Sequence, residues 1–213
     1  MKKDFFKDSK IKFPAYEPWI SKEDKKIISK TLEQSMLTLG PQLEKFEADF
    51  CKYSKANYAV AVSNCTAALH LSLMALGIGK DDEVIIPDLT FVADANAVLA
   101  CNAKPIVADI NKENFFLSIS NVKKNITKRT KAIIPVHIYG QVCNIEEILD
   151  VAKDNNLKVI EDCAHAVGTF HKSKHVGTLG NTGCFSFYPT KNITTAEGGM
   201  VTTNSKEIAE KVR

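Results

Sequence analysis

Arginine is almost missing from this sequence: of its 28 basic residues only Arg129 and Arg213 carry a guanidinium. A site that grips a dicarboxylic amino acid usually uses that planar, bidentate fork, so any such grip is expected to come from elsewhere. Concentrated charge is lacking too. The net charge of +3 is spread over lysines interleaved with acids, which leaves no field to draw in nucleic acid or an anionic membrane. No apolar run approaches a membrane span, and MKKDFFKDSKIKFPAYEPWI lacks the apolar core and small-residue cleavage site of a signal peptide. The expectation is a cytoplasmic protein with neither nucleic acid nor membrane as partner. Cys51, Cys65, Cys101, Cys143, Cys163 and Cys184 form no CxxC pair and no metal-ligand spacing, so they are expected to be reduced packing residues, with no metal site. Repeats, low-complexity tracts and flexible linkers are absent as well.

What is present is enough apolar sequence, 45% of 213 residues, for one large domain or a domain with appendages. Short apolar runs alternate with helical patterns. NYAVAVS precedes a helix from about Thr66, EVIIP precedes one from about Phe91, then come KPIVAD, KAIIPVHIYG, a helix over about 145–153, and LKVIEDC. Continuously apolar strands alternating with helices predict an α/β fold with a mainly parallel sheet covered on both faces, its sites at the carboxyl ends of the strands. Ahead of this region, KEDKKIISKTLEQS and QLEKFEADFCKYS have helical periodicity and are separated by a turn at Gly40 and Pro41; they read as an N-terminal appendage. Beyond it, CFSFYPTK and GGMVTTN flank a polar segment, and SKEIAEKVR opens a helix with Ser205 as cap. Stopping inside an amphipathic helix gives the expectation of a fragment.

Three segments offer chemistry. AVAVSNCTAALHLSLMALGIG runs from a strand through Ser63, Asn64, Cys65 and Thr66 into a helix, and the free amides and hydroxyls at a helix start suit a phosphate. The alternative is that Thr66 or Ser63 simply caps the helix. KVIEDCAHAVG delivers Glu161, Asp162 and His165 to a strand end, where a buried carboxylate needs a cationic or hydrogen-bonding partner. A protonated pyridine nitrogen is one such partner; capping of the next turn is the competing role, and a structural histidine the competing role for His165. CFSFYPTKNITTAEGGMVTTN sets Lys191 after an apolar strand, five residues beyond Ser186. By itself such a lysine is a solvated one. Taken together, a phosphate cradle, a strand-end aspartate and a downstream lysine are complementary parts of a pyridoxal phosphate site, with the lysine forming the imine. Phe91 in DLTFVADANAV is placed to cover a ring by stacking, although core packing is the ordinary role of an aromatic at a helix start.

The segments SNCTAALHLSLMALGIGKDDEVIIP, TFVADANAV, TKAIIPVHIYGQ, VIEDCAHAVGT and FSFYPTKNITTAEGG resemble, in order, those of the DegT/DnrJ/EryC1/StrS sugar aminotransferases. The resemblance runs from about Leu37 to the last residue. It implies the large domain of a fold-type I pyridoxal-phosphate-dependent transferase, a mixed seven-stranded sheet over 37–213, with residues 1–36 as an arm and helix and a smaller C-terminal domain not contained in this sequence. By resemblance Lys191 is the imine lysine and catalytic acid/base, and Asp162 pairs with the pyridinium nitrogen. His165 lies near the ring and its phenolic oxygen, and Phe91 stacks on the ring. Cys65, Thr66 and Ser186 hold phosphate. Cys65 stands where many relatives have glycine or alanine, and His165 where many have glutamine. The wording EDCAHAVGT followed by KNITTAEGG is similar to enzymes that aminate C4 of UDP- or GDP-linked keto sugars. That implies a nucleotide-linked keto sugar as substrate, glutamate as donor, ping-pong kinetics and a homodimer. A sugar dehydratase and a noncatalytic regulator are the alternatives within the family; retention of Lys191 speaks for amination, and the lack of a basic DNA-reading helix speaks against a regulator.

Overall fold

The computed structural model describes residues 17–213; positions 1–16, the first part of the expected arm and most of the stretch read against a signal peptide, lie outside the described residues. Helix α1 (Lys22–Leu32) opens with a capping box in which Ser21 and Asp24 exchange hydrogen bonds, and none of its residues is buried. Helix α2 (Pro41–Ser54) has Gly40 as its N-cap and Pro41 as its first residue. The expected turn is therefore a helix start, the position where a missing N–H costs nothing. Reading α2 as part of an appendage was also wrong. Phe50 is buried and packs edge-on against Phe185 and Phe187 with ring centroids 5.1 and 5.8 Å apart, because an amphipathic period reveals an apolar face but not the surface that will cover it.

The βα alternation is realised as β1 (Tyr58–Val62), α3 (Cys65–Ala75), β2 (Glu83–Pro87), α4 (Ala93–Ala100), β3 (Lys104–Ala108), α5 (Ile119–Asn125), β4 (Thr130–Ile133), α6 (Ile145–Asp154) and β5 (Lys158–Asp162). A short hairpin, β6 (Phe170–His171) and β7 (Lys174–His175), precedes β8 (Thr182–Ser186), β9 (Gly199–Thr203) and α7 (Lys206–Val212). Ser205 does cap α7, accepting from the Ile208 amide at 3.4 Å. The seven-stranded sheet has the order β1-β9-β8-β5-β4-β2-β3. Neighbours from β8 to β3 are parallel, whereas β9 runs antiparallel to both β8 and β1. The expected mixed, mainly parallel architecture is thus formed, with a single reversed strand.

Alternation along each strand divides the core. Val60, Val84, Ile86, Ala132, Ile134, Ile160, Cys184 and Val201 face one side, packed with the buried residues of α3, α4 and α7. Ile85, Ile133 and Val159 face the other, under α5 and α6, while Ala59, Phe185 and Met200 meet α2 there. Burying each Ile, Leu or Phe on either face contributes about 1.5–3 kcal/mol. All strands of the seven-stranded sheet except β9 point their carboxyl ends the same way, so residues just past β1, β2, β4, β5 and β8 converge on one edge, joined by the start of β9.

Candidate functional site

A cavity of about 600 Å³ opens at that edge, lined by Asn64, Cys65, Thr66, Phe91, Asp162, His165, Ser186 and Lys191 among others. The residues expected to hold the cofactor, Cys65, Thr66, Phe91, Asp162, His165, Ser186 and Lys191, therefore border one space, although the chain separates the first from the last by more than a hundred positions.

Its first wall is the start of α3. Asn64 is the N-cap, its side-chain oxygen accepting from the Ala67 amide at 2.8 Å; neither Ser63 nor Thr66 does this work, so the expected alternative role for Thr66 does not hold. The Thr66 hydroxyl and the Cys65 and Thr66 amides, which have no intrahelical acceptor, are left beside the cavity. Burial, with Asp162 next in effect, pushes the Cys65 thiol well above its ordinary value, so it is a neutral packing group. Phe91 sits just ahead of α4 and is 75% exposed; the core-packing alternative fails for it, and its ring is open to the cavity.

The floor is the end of β5. Asp162 is 5% exposed and accepts from the Ala164 amide at 2.8 Å, so the turn-capping role raised by its sequence is real and is filled by one oxygen while the side chain still borders the cavity. Burial raises its pKa; the Ala164 amide and the charges of His165, His137 and Lys191 pull the other way. Next to it in sequence, Glu161 turns to the opposite face of the sheet. Its carboxylate accepts from the amides of Gly177, Leu179 and Gly180 at 2.7–2.9 Å and meets His137 Nε2 at 3.0 Å, while His137 Nδ1 accepts from the Cys143 amide at 3.2 Å. His137, Glu161 and Cys163 lie within 4.8 Å of one another with ligand-type atoms, yet Glu161 already has four donors, so the cluster is built as a hydrogen-bond anchor for the loop before β8.

His165 is held by Tyr139. The Tyr139 amide donates to His165 Nδ1 at 3.3 Å and the rings stack with centroids 5.8 Å apart and 13° between planes; Tyr139 reaches this place with φ of 53°, followed by Gly140 at 79°. Burial and then the Lys191 charge lower the His165 pKa, favouring a neutral ring whose remaining proton sits on Nε2. Lys191 is half-buried in the turn after β8, its amide donating to the Tyr188 carbonyl at 2.9 Å. Ser186 ends β8, its hydroxyl accepting from the Tyr188 amide at 3.4 Å.

Sequence reasoning passed over Asp94, in the first turn of α4. It is 0% exposed, its Oδ2 accepts from Thr90 Oγ1 at 2.6 Å, and its side chain lies within hydrogen-bonding reach of the Asp162 carboxyl. The spacing of Thr90 and Asp94 was visible; the meeting with Asp162, 68 positions on, was not. Burial, and then the Asp162 charge, push the Asp94 carboxyl well above its ordinary value. Both arginines are occupied elsewhere, Arg129 Nε with Glu83 at 3.0 Å and Arg213 Nη2 with Glu47 at 2.9 Å, so the cavity's cation among the described residues is Lys191.

The donor set suits pyridoxal phosphate: amides and hydroxyls of Cys65, Thr66 and Ser186 at one wall for a phosphate, a buried carboxyl on the floor for a ring nitrogen, and an aromatic and an amine at the sides. The family model for the DegT/DnrJ/EryC1/StrS aminotransferase family matches residues 18–213. The chain belongs to that family. It is 44% identical over 199 residues to a GDP-perosamine synthase of Escherichia coli O157:H7, covering 93% of this chain and 55% of that protein. Against the spore coat polysaccharide biosynthesis protein SpsC of Bacillus subtilis it is 45% identical over 196 residues, 92% of this chain and 50% of that one. Among solved structures, the aminotransferase of Psychrobacter cryohalolentis superposes with a TM-score of 0.88 at 35% identity, covering 92% of this chain and 51% of that chain. Spr1654 of Streptococcus pneumoniae superposes with a TM-score of 0.89 at 29% identity, covering 94% and 56% respectively, and is solved in PLP and PMP forms. The fold is accordingly that of these pyridoxal-phosphate-dependent family members, and the chain spans about half the length of the relatives it matches.

Proposed function

We propose that this chain carries the cofactor-binding part of a pyridoxal-phosphate-dependent aminotransferase that moves an amino group from glutamate to C4 of a nucleotide-linked keto sugar. The observation that carries the reading is the convergence of Lys191, Asp162, Thr66, Ser186, His165 and Phe91 on one cavity. In this reading residues 37–213 form the cofactor domain and 1–36 an arm, in a cytoplasmic homodimer. Exposed Ile27, Ile28 and Leu32 on α1 supply apolar surface for a second copy. The sugar substrate rests on the names of the relatives.

Bound pyridoxal phosphate supplies an electron sink and a carrier for the amino group. The Cys65 and Thr66 amides with the Thr66 and Ser186 hydroxyls would bind its phosphate; Asp162 would hold the proton at the ring nitrogen by pairing with it; neutral His165 would offer its Nε2 proton to the phenolic oxygen; Phe91 would cover one ring face and exclude water. Lys191 Nζ would be the amine that anchors the cofactor, and as a free amine it would take a proton from the donor's α-carbon and return one to the sugar carbon. One residue thus serves as covalent anchor and acid/base.

Borohydride reduction of protein incubated with pyridoxal phosphate, followed by peptide mass spectrometry, is expected to find the pyridoxyl group on Lys191, and the full-length protein is expected to yield amino sugar and 2-oxoglutarate from glutamate and a GDP- or UDP-linked 4-keto sugar. Labelling of another lysine, or transamination surviving Lys191→Ala, overturns the assignment; deoxygenated sugar as product moves the chain to the dehydratases.

A further inference from the structure

The buried acid Asp94 has no place in the reaction as set out above, and its surroundings are unusual. Its Oδ1 is buried with no hydrogen-bond donor among the described residues, while Oδ2 takes the Thr90 hydroxyl at 2.6 Å. The group within reach of the side chain is the Asp162 carboxyl. An acceptor facing an acceptor is satisfied by a proton between them. The environments of the two differ. Asp162 has the Ala164 amide at 2.8 Å, with the Lys191 charge acting on it; Asp94 has Thr90 alone, beside the neutral Cys65 thiol.

We infer that Asp94 is kept as the neutral acid and donates a hydrogen bond from Oδ1 to Asp162, making it a positioning residue that orients and tempers the carboxylate offered to the ring nitrogen of the cofactor. The pair rests on the buried, unpartnered Oδ1 and the neighbouring Asp162 carboxyl; its role toward the cofactor rests on the function proposed above. The direction of the shifts agrees: burial and then Asp162 drive the Asp94 carboxyl well up, and Asp162 rises while neighbouring cations and an amide oppose it. The α3 and β8 groups packed against the pair, Cys65 and Cys184, are thiols that burial keeps protonated. Asparagine reproduces the arrangement, with Oδ1 accepting from Thr90 and Nδ2 donating to Asp162; leucine removes the donor while keeping similar volume.

Infrared spectra of the cofactor-free full chain at neutral pH are expected to show the carbonyl stretch of a buried protonated carboxyl that shifts in deuterium oxide and is lost in Asp94→Asn. Its absence from the wild type, or its persistence in Asp94→Asn, overturns the shared proton. Titration with pyridoxal phosphate, read by absorbance, then tests the role. Asp94→Asn is expected to hold the cofactor within about threefold of wild type and Asp94→Leu about tenfold more weakly, as for loss of a hydrogen bond to a charged group. Equal binding by Asp94→Leu, or loss in Asp94→Asn as large as in Asp162→Asn, overturns it. Circular dichroism of each variant separates these outcomes from unfolding. Should the wild type bind no pyridoxal phosphate, the functional reading fails and the infrared result still decides the pair.

Discussion

Gly199, the first residue of β9, lies so close to Asn64 that a Cβ built on it would come within 2.5 Å of the Asn64 carbonyl carbon and 2.8 Å of the Cys65 amide nitrogen. β9 is hydrogen-bonded between β1 and β8, so it cannot retreat without breaking both ladders. The reversed strand thereby sets the position of the α3 start, and with it the amides offered to a phosphate.

Gly199→Ala is therefore expected to displace that helix start. Overpacking of this kind typically costs about 1–3 kcal/mol, read as a lower urea midpoint. Pyridoxal phosphate affinity should fall further than stability, because the clash sits at the wall proposed to hold the phosphate. A variant with wild-type affinity would show that α3 is placed by other contacts.

Glu161→Gln removes an acceptor from a buried site with three backbone amides and His137 around it. Replacing one oxygen by a donor leaves at least one amide facing another N–H, and breaking a buried charged network costs about 3–5 kcal/mol. The expected result is a strongly destabilised protein whose 177–180 loop loses amide-exchange protection first. Mild destabilisation, under about 1 kcal/mol, would mean that the loop is held by other means.

Stability should depend on pH with opposite signs from two groups. His165 has a lowered pKa in the fold, so its contribution is present above the unfolded value of about 6.5 and is lost as pH falls through the lowered value. Asp94 has a raised one, so its contribution is complete below the unfolded value of about 3.8 and is lost as pH rises through the folded value. Thermal melts across pH are expected to show Asp94→Asn losing less stability than wild type toward alkaline pH, and the variant His165→Gln losing less toward acid. Parallel wild-type and variant curves would remove both groups from the pH dependence.

Much of this protein was legible locally. EVIIP is β2 to the residue, the 145–153 helix is α6, and Ser205 caps α7, because hydrophobic period and capping chemistry act over a few neighbouring residues. The motifs around Thr66, Asp162, Ser186 and Lys191 were legible for the same reason, each being a strand end followed by a short polar turn. Helix α5 and the β6–β7 hairpin carry too short a pattern to be read that way. Asn64 displaced Ser63 and Thr66 as the cap because the choice of cap is settled by how the chain enters the helix, and β9 constrains that entry. Only the tertiary structure could bring Asp94 to Asp162, lay α2 over Phe185 and press Gly199 against Asn64. These contacts join residues 68 to 135 positions apart along paths that sheet order determines, and sheet order follows from burying both faces at once. Lys191 shows the division best: its sequence context is that of an ordinary solvated lysine, and its meaning comes from the cavity that the sheet edge builds around it.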